Sequence, residues 1–206
     1  MKTKYSTILF DLGNTLIRFD HNIAVKKLFS RFGIDPKTTY DLFFDSRITR
    51  LFEKGMILPD EFHKRATGLL GIDIAYDEFA DIWNDIFWED TGSCALAREL
   101  KKEYRLFLLS NVNKVHFEYI QSKFDIISIF DELILSYKVG VMKPEPAIFE
   151  YAIKQSGGDK TKVIYIDDRE DLIREATSMG IESIRYESSG KLKEDLAARG
   201  VLKSAA

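Results

Sequence analysis

Three carboxylates, a lysine and a serine–asparagine pair stand where short apolar runs of this sequence end. Asp11 follows Ile8-Leu9-Phe10, Ser110-Asn111 follow Leu106-Phe107-Leu108-Leu109, and Asp167-Asp168 follow Val163-Ile164-Tyr165-Ile166. Lys143 comes after the weaker run Leu133-Ile134-Leu135, within Val139-Gly140-Val141-Met142-Lys143-Pro144. In an open α/β sheet, ligands bind outside the carboxyl ends of the strands. If the runs are neighbouring strands, these groups meet. Asp11, Asp167 and Asp168 would then be crowded together, and two carboxylates about 4 Å apart repel by roughly 4 kcal/mol at an effective dielectric near 20. A hard divalent cation relieves that repulsion, and Mg²⁺ is typically held by carboxylates together with waters and substrate phosphate. Ser110, the Asn111 backbone N–H and Lys143 add donors and a positive charge, a set that suits a phosphoryl group. Asp11 can then attack phosphorus and form an aspartyl-phosphate. The metal and Lys143 would offset charge on the transferring group.

The elements that must position these groups are legible from periodicity. Continuous apolar runs suit strands buried on both faces, as in a parallel sheet. Ser183-Ile184-Arg185-Tyr186 is a further strand candidate. Helical faces lie between the runs: Phe117, Ile120 and Phe124, then Phe149, Ala152 and Ile153 after Pro144 and Pro146, then Leu172, Ala176 and Met179 before Gly180. This alternation predicts an α/β fold, a three-layer Rossmann-like core of five or so parallel strands. Residues 19–88 read as helical throughout, broken at Gly33-Ile34-Asp35-Pro36, at Gly55 and Pro59, and at Gly71-Ile72-Asp73. The expected organisation is a core of residues 1–17 and 91–206 with a helical cap, residues 18–90, inserted over the carboxyl edge of the sheet.

Composition narrows the classes. The chain has 206 residues, 45% of them hydrophobic, enough for one core plus a small lid. Its formal net charge is -3 with both signs interspersed, so no basic field favours nucleic acid or an anionic membrane. Aromatic content of 13% argues against disorder. Cys94 is the single cysteine, which excludes an intramolecular disulfide and a multi-cysteine metal site. The apolar stretch near the start is interrupted by Asp11 and is too short for a signal-peptide core or a membrane span. The expectation is a soluble cytoplasmic protein acting on a small-molecule phosphate ester, with the tail Lys203-Ser204-Ala205-Ala206 frayed.

Four motifs in order resemble those of the haloacid dehalogenase superfamily. Phe10-Asp11-Leu12-Gly13-Asn14-Thr15-Leu16 is similar to the first, Leu108-Leu109-Ser110-Asn111 to the second, Lys143-Pro144 to the third and Tyr165-Ile166-Asp167-Asp168 to the fourth. The Asp-Leu-Gly-Asn start resembles a helical-cap subgroup of sugar-phosphate phosphatases. The resemblance implies Asp11 as nucleophile, Ser110 and Asn111 as phosphate binders, and Lys143 as the charge clamp. It implies Mg²⁺ held by Asp11, the Gly13 carbonyl, Asp168 and Asp167, the last directly or through a neighbour. The implied function is a Mg²⁺-dependent phosphatase for a small phosphorylated metabolite, a sugar phosphate above all. The alternatives are a catalytically weak or non-enzymatic binding protein of this fold, and a metal-free 2-haloacid dehalogenase.

Several positions depart from the pattern or admit a plain reading. Superfamily phosphatases commonly carry a second aspartate two residues after the nucleophile; here it is Gly13. Asparagine and glycine are usual where this chain has Leu172 and Glu175, and Asp171 is a candidate replacement for the asparagine. His116 fits a packing role, and Arg47, Arg50 and Glu53 a solvated helix face. Trp83, Phe87 and Trp88 fit packing between cap and core, and Cys94 an inert thiol. General acid–base catalysis typically contributes about 10²–10⁴-fold. With Gly13 unable to transfer a proton, hydrolysis is expected to slow steeply as the leaving group becomes more basic and the phospho-enzyme to accumulate, unless another group carries the proton.

Overall fold

In the computed structural model, which describes residues 4–44 and 46–202, the apolar runs become neighbouring strands of one sheet. The strands in chain order are β1 (Thr7–Phe10), β2 (Ile17–Phe19), β3 (Phe87–Glu89), β4 (Arg105–Ser110), β5 (Glu132–Leu135), β6 (Val163–Asp167) and β7 (Glu182–Arg185). Helices α1 (His21–Phe32), α2 (Pro36–Phe44), α3 (Arg47–Glu53), α4 (Pro59–Leu70) and α5 (Tyr76–Asn84) lie between β2 and β3. Helix α6 (Thr91–Leu100) precedes β4 and α7 (Lys114–Lys123) follows it. The single turn α8 (Ser136–Val139) and then α9 (Pro146–Ser156) follow β5, α10 (Glu170–Ser178) follows β6, and α11 (Ser189–Ala198) follows β7. The tail expected to fray, residues 203–206, lies outside the described residues.

The sheet order is β5-β4-β1-β6-β7, and every pairing in it is parallel. The chain leaves β1 toward β4 and β5, then returns to the other side of β1 for β6 and β7. That reversal opens a crevice at the carboxyl end of β1, where α/β sheets bind ligands. Register fixes what meets there. Phe10 is opposite Leu108 on one side and Ile166 on the other. The Asp11 N–H extends the ladder to the Ile166 carbonyl at 2.9 Å, which sets Asp11 level with Asp167.

Alternation distributes the strand residues between two cores. Ile8, Phe10, Leu106, Leu108, Ile164 and Ile166 face a cluster with Leu96 and Ala97 of α6, Phe117 and Ile120 of α7, and Leu192 and Leu196 of α11. Leu9, Phe107, Leu109, Val163 and Tyr165 face Ile148, Phe149 and Ala152 of α9 and Leu172 and Ala176 of α10. Both faces are covered, which is why the runs are continuous rather than alternating. The result is the three-layer α/β fold expected from the sequence. Cys94 is buried within the first layer, its thiol donating to the Leu16 carbonyl at 3.4 Å, and burial pushes its pKa up, as suits an inert thiol. Among the described residues, no helix is long and apolar enough to cross a membrane.

The block between β2 and β3 has an apolar core of its own. Leu28, Phe43, Phe52, Phe62, Phe79 and Trp83 are buried together there. Phe62 stacks between Phe52 at 4.6 Å and Trp83 at 4.7 Å, centroid to centroid. The block is not helical to its ends, however. Strands β2 and β3 pair antiparallel, with Ile17 opposite Glu89 and Phe19 opposite Phe87, and close the block with a two-stranded ribbon. Three residues are too few for a period-two pattern, and the partners lie far apart in sequence, so periodicity could not reveal them. Phe87 packs against the core as expected, whereas Trp88 is 47% exposed and does not.

Phe62→Ala should therefore cost about 3–5 kcal/mol, as buried aromatic truncations do. Urea unfolding followed by Trp83 fluorescence checks this; an unchanged midpoint would show that the stack does not support the helical block.

Candidate active site

A buried ammonium joins two strands at the crevice. Lys143 is 2% exposed, and its Nζ lies 2.6 Å from Asp11 Oδ1 and 2.6 Å from Asp167 Oδ2. Burial works against its charge, yet the two carboxylates more than offset it and hold its pKa above the ordinary lysine value. Burial raises the Asp11 carboxyl to about 7; Lys143 opposes that rise, while Asp167 and Asp168 add to it. Asp168 is raised as well, by burial first and then by Asp167.

Each of these groups is held by its own local geometry. Asp11 directly follows β1, and Asn14, two residues beyond Leu12, sits at φ 52°, a left-handed conformation that asparagine tolerates. Asp167 is the last residue of β6. Its Oδ1 accepts from the Arg169 N–H at 2.9 Å, and its Oδ2 accepts from the Tyr165 hydroxyl as well as from Lys143. Tyr165 lies two residues earlier, on the same strand face. Lys143 comes from the loop between α8 and α9, and the Asn111 amide fixes it. Asn111 Nδ2 donates to the Lys143 carbonyl at 2.7 Å, and the Lys143 N–H donates to Asn111 Oδ1 at 2.8 Å. Asn111 thus commits its side-chain amide to Lys143.

Asp11, Gly13, Asn111, Lys143, Asp167 and Asp168 line one cleft of about 250 Å³. Ser110 lines a smaller adjoining pocket of about 110 Å³, with Leu12, Ile17, Phe19 and Phe87 among its walls. His116 is buried at that pocket against Trp83 at 4.3 Å, and burial lowers it to about 3, so it is neutral. Its Nδ1 meets Asn113 at 3.1 Å, which is the packing role expected for it. Asp171 is not in the cluster of Asp11, Asp167 and Asp168; it pairs with the Arg169 side chain at 2.7 Å on the surface.

Three supporting residues were not singled out from the sequence: Tyr165, Arg169 and Ser136. A phenol amid buried aliphatics two residues before Asp167 was a signal for the first. The Arg169 N–H and the Ser136 hydroxyl carry no such sign. Ser136 is a buried junction: it accepts from the Val112 N–H at 3.0 Å and donates to the Glu53 carbonyl at 2.6 Å. Glu53, taken from sequence for a solvated face, instead lines both the cleft and the small pocket.

The donor chemistry fits a hard dication. Asp11, Asp167 and Asp168 each offer a carboxylate oxygen, and these atoms lie within 4.8 Å of one another. The set is all oxygen and carries three negative charges against one ammonium, which suits Mg²⁺.

Comparison with known proteins places these features among relatives. A family model described as haloacid dehalogenase-like hydrolase matches residues 5–180. The chain is 28% identical over 197 residues to a D-ribitol-5-phosphate phosphatase from Bacteroides thetaiotaomicron, covering 92% of this chain and 95% of that one. It is 23% identical over 193 residues to a sesquiterpene phosphatase from Aspergillus oryzae, covering 92% and 93%. A haloacid dehalogenase family enzyme from Bacteroides thetaiotaomicron, solved with magnesium and inorganic phosphate, superposes with a TM-score of 0.80 at 27% identity, covering 89% of this chain and 95% of that one.

A cation that relieves the crowded carboxylates must stabilise the fold. At ten times its Kd, Mg²⁺ alone should add about 1.4 kcal/mol, roughly 3–6 °C in thermal midpoint. Asp168→Asn should remove most of that rise. Differential scanning calorimetry without substrate checks it, and an unmoved wild-type midpoint would reject the cluster as a metal site.

Proposed function

Because the chain belongs to the haloacid dehalogenase-like hydrolases, we propose that it is a Mg²⁺-dependent phosphatase acting on a small phosphorylated metabolite through an aspartyl-phosphate on Asp11. The observation that carries this reading is the buried Lys143 bridging Asp11 and Asp167 at the switch point of the sheet. A fixed cation beside a nucleophilic carboxylate, with further acidic oxygens close by, matches the charge of a phosphoryl group between nucleophile and metal.

The residues divide the work. Asp11 attacks phosphorus in line with the departing oxygen. Lys143 balances the charge of the transferring oxygens, and Ser110 and the Asn111 N–H orient them. Asp11, Asp168 and the Gly13 carbonyl hold Mg²⁺, with Asp167 ordering the site through Lys143, Tyr165 and Arg169. When bound, the ion screens the phosphate from the carboxylates and stabilises charge on its oxygens. Residues 18–90 act as a cap over the core of residues 1–17 and 91–206 and exclude water during the reaction. A single buried thiol suits a reducing compartment such as the cytoplasm.

A sugar or polyol phosphate is the substrate class favoured by the charged cleft, and the likeness to a D-ribitol-5-phosphate phosphatase supports it. The small pocket favours a second reading. Its Leu12, Ile17, Phe19 and Phe87 walls suit an alcohol with hydrocarbon character. A metal-free dehalogenase is less consistent with the site, since it has no use for a cluster of three carboxylate oxygens within 4.8 Å of one another.

Inorganic phosphate release from a panel of pentitol, sugar and isoprenoid phosphates distinguishes the two classes by kcat/KM. Activity should vanish in excess chelator; full turnover there would reject the metal-dependent mechanism. Lys143→Ala should lower kcat/KM by about 10²–10³ and also weaken inhibition by inorganic phosphate. Unchanged phosphate inhibition would place the lysine outside the site.

A further inference from the structure

We infer that Glu53 carries the protons of the reaction, supplying from the helical block the carboxyl group that Gly13 lacks. The inference rests on the phosphatase reading above. Glu53 is the last residue of α3 and lines the cleft with Asp11, Gly13 and Asp168. It also lines the adjoining pocket with Ser110 and Phe87. Of the residues common to both cavities, Gly13, Phe19, Glu53 and Asn111, only Glu53 has an ionisable side chain. Among the described residues, its carboxyl makes no hydrogen bond and no ion pair. Burial raises that carboxyl to about 7, against the pull of Arg169 and Arg50, which lets it hold or release a proton near neutrality.

The position is built rather than incidental. The Glu53 carbonyl accepts from the Ser136 hydroxyl at 2.6 Å, and Ser136 accepts in turn from the N–H of Val112, just after Ser110-Asn111. Lys54 pairs with Glu145 at 2.9 Å, two residues after Lys143. Gly55, at φ 67°, passes so close that an added Cβ would collide with the Tyr137 carbonyl oxygen. These ties fix the end of α3 against the two loops that carry Asn111 and Lys143.

Other groups in the two cavities are unsuited to the task. Lys143 is bound to two carboxylates, and Asp168 serves the metal. Burial lowers His21 to about 4 and His116 to about 3, so neither holds a proton to give at neutral pH. Nor is there space for a side chain at position 13, where a Cβ would lie 2.9 Å from the Phe19 ring. Phe19 in turn stacks on His21 at 4.7 Å. Gly13→Asp therefore cannot restore the missing acid unless Phe19 moves.

The proton balance closes over two steps. As an Asp11 oxygen bonds to phosphorus, the bond from phosphorus to the alcohol oxygen breaks, and its electron pair takes the proton of the Glu53 carboxyl. The alcohol leaves, and Glu53 is a carboxylate. Water then attacks phosphorus and gives its proton to Glu53. The phosphorus–Asp11 bond breaks, which restores the Asp11 carboxylate and the Glu53 acid and releases phosphate.

The test compares wild type and Glu53→Gln on nitrophenyl, phenyl and alkyl phosphates with Mg²⁺. Wild type should show kcat/KM values that depend little on the basicity of the leaving group. Glu53→Gln should lose about 10²–10⁴-fold on the alkyl ester and less than about tenfold on the nitrophenyl ester. It should also release one burst of nitrophenolate per enzyme before a slow steady state, because the second step lacks its base. That burst shows a folded protein with a working Asp11. Glu53→Asp, which keeps a carboxyl, should recover part of the alkyl rate. Equal losses on all three esters, or a steep dependence already in wild type, would overturn the role of Glu53 while leaving the phosphatase reading intact. No phosphate release by wild type from any ester would overturn both.

Discussion

One ammonium among three carboxylates is the constraint from which the site follows. Lys143 is almost wholly buried, and breaking such a pair by removing one partner typically costs 3–5 kcal/mol because a charge is left without compensation. The lysine can sit there only because β1 and β6 are adjacent and in a register that brings Asp11 level with Asp167. Even so, one positive charge does not balance three negative ones. Burial first, and the neighbouring carboxylates after it, raise Asp11 and Asp168, and a dication would offset both. Sheet order, lysine placement and metal affinity are thus a single electrostatic arrangement.

Contacts outside the carboxylates support it. The Asn111 amide locks the Lys143 backbone from both sides, so a residue that looks like a phosphate ligand is in part a brace for the cation. Lys143, Tyr165 and the Arg169 N–H together take three of the four acceptor sites of Asp167.

The helical block meets the core through buried packing, Trp83 on His116 of α7 at 4.3 Å, and through polar ties. The Lys54–Glu145 pair is partly solvated, and exposed ion pairs contribute about 0–1 kcal/mol. The Ser136 hydrogen bond and the close passage of Gly55 add specificity of placement more than strength. The block also has an aromatic core of its own, against which Val115 of α7 packs.

The strands and the polar residues at their ends were legible because both are local properties. An apolar run of four residues followed by aspartate keeps its meaning wherever it lies in the chain, and two-sided burial makes such runs continuous. Asp11, Lys143 and the acidic pair could be singled out from that pattern and from a family resemblance. The β2–β3 ribbon, the Asn111 brace and the placement of Glu53 could not. Each depends on residues distant in sequence: Ser136 reaches Glu53 across 83 positions and Lys54 reaches Glu145 across 91. A glutamate on an amphipathic helix has the same local pattern whether it faces water or a cleft. Only the packing of that helix against the sheet's carboxyl edge removes its solvent and gives its carboxyl a neighbour to act on.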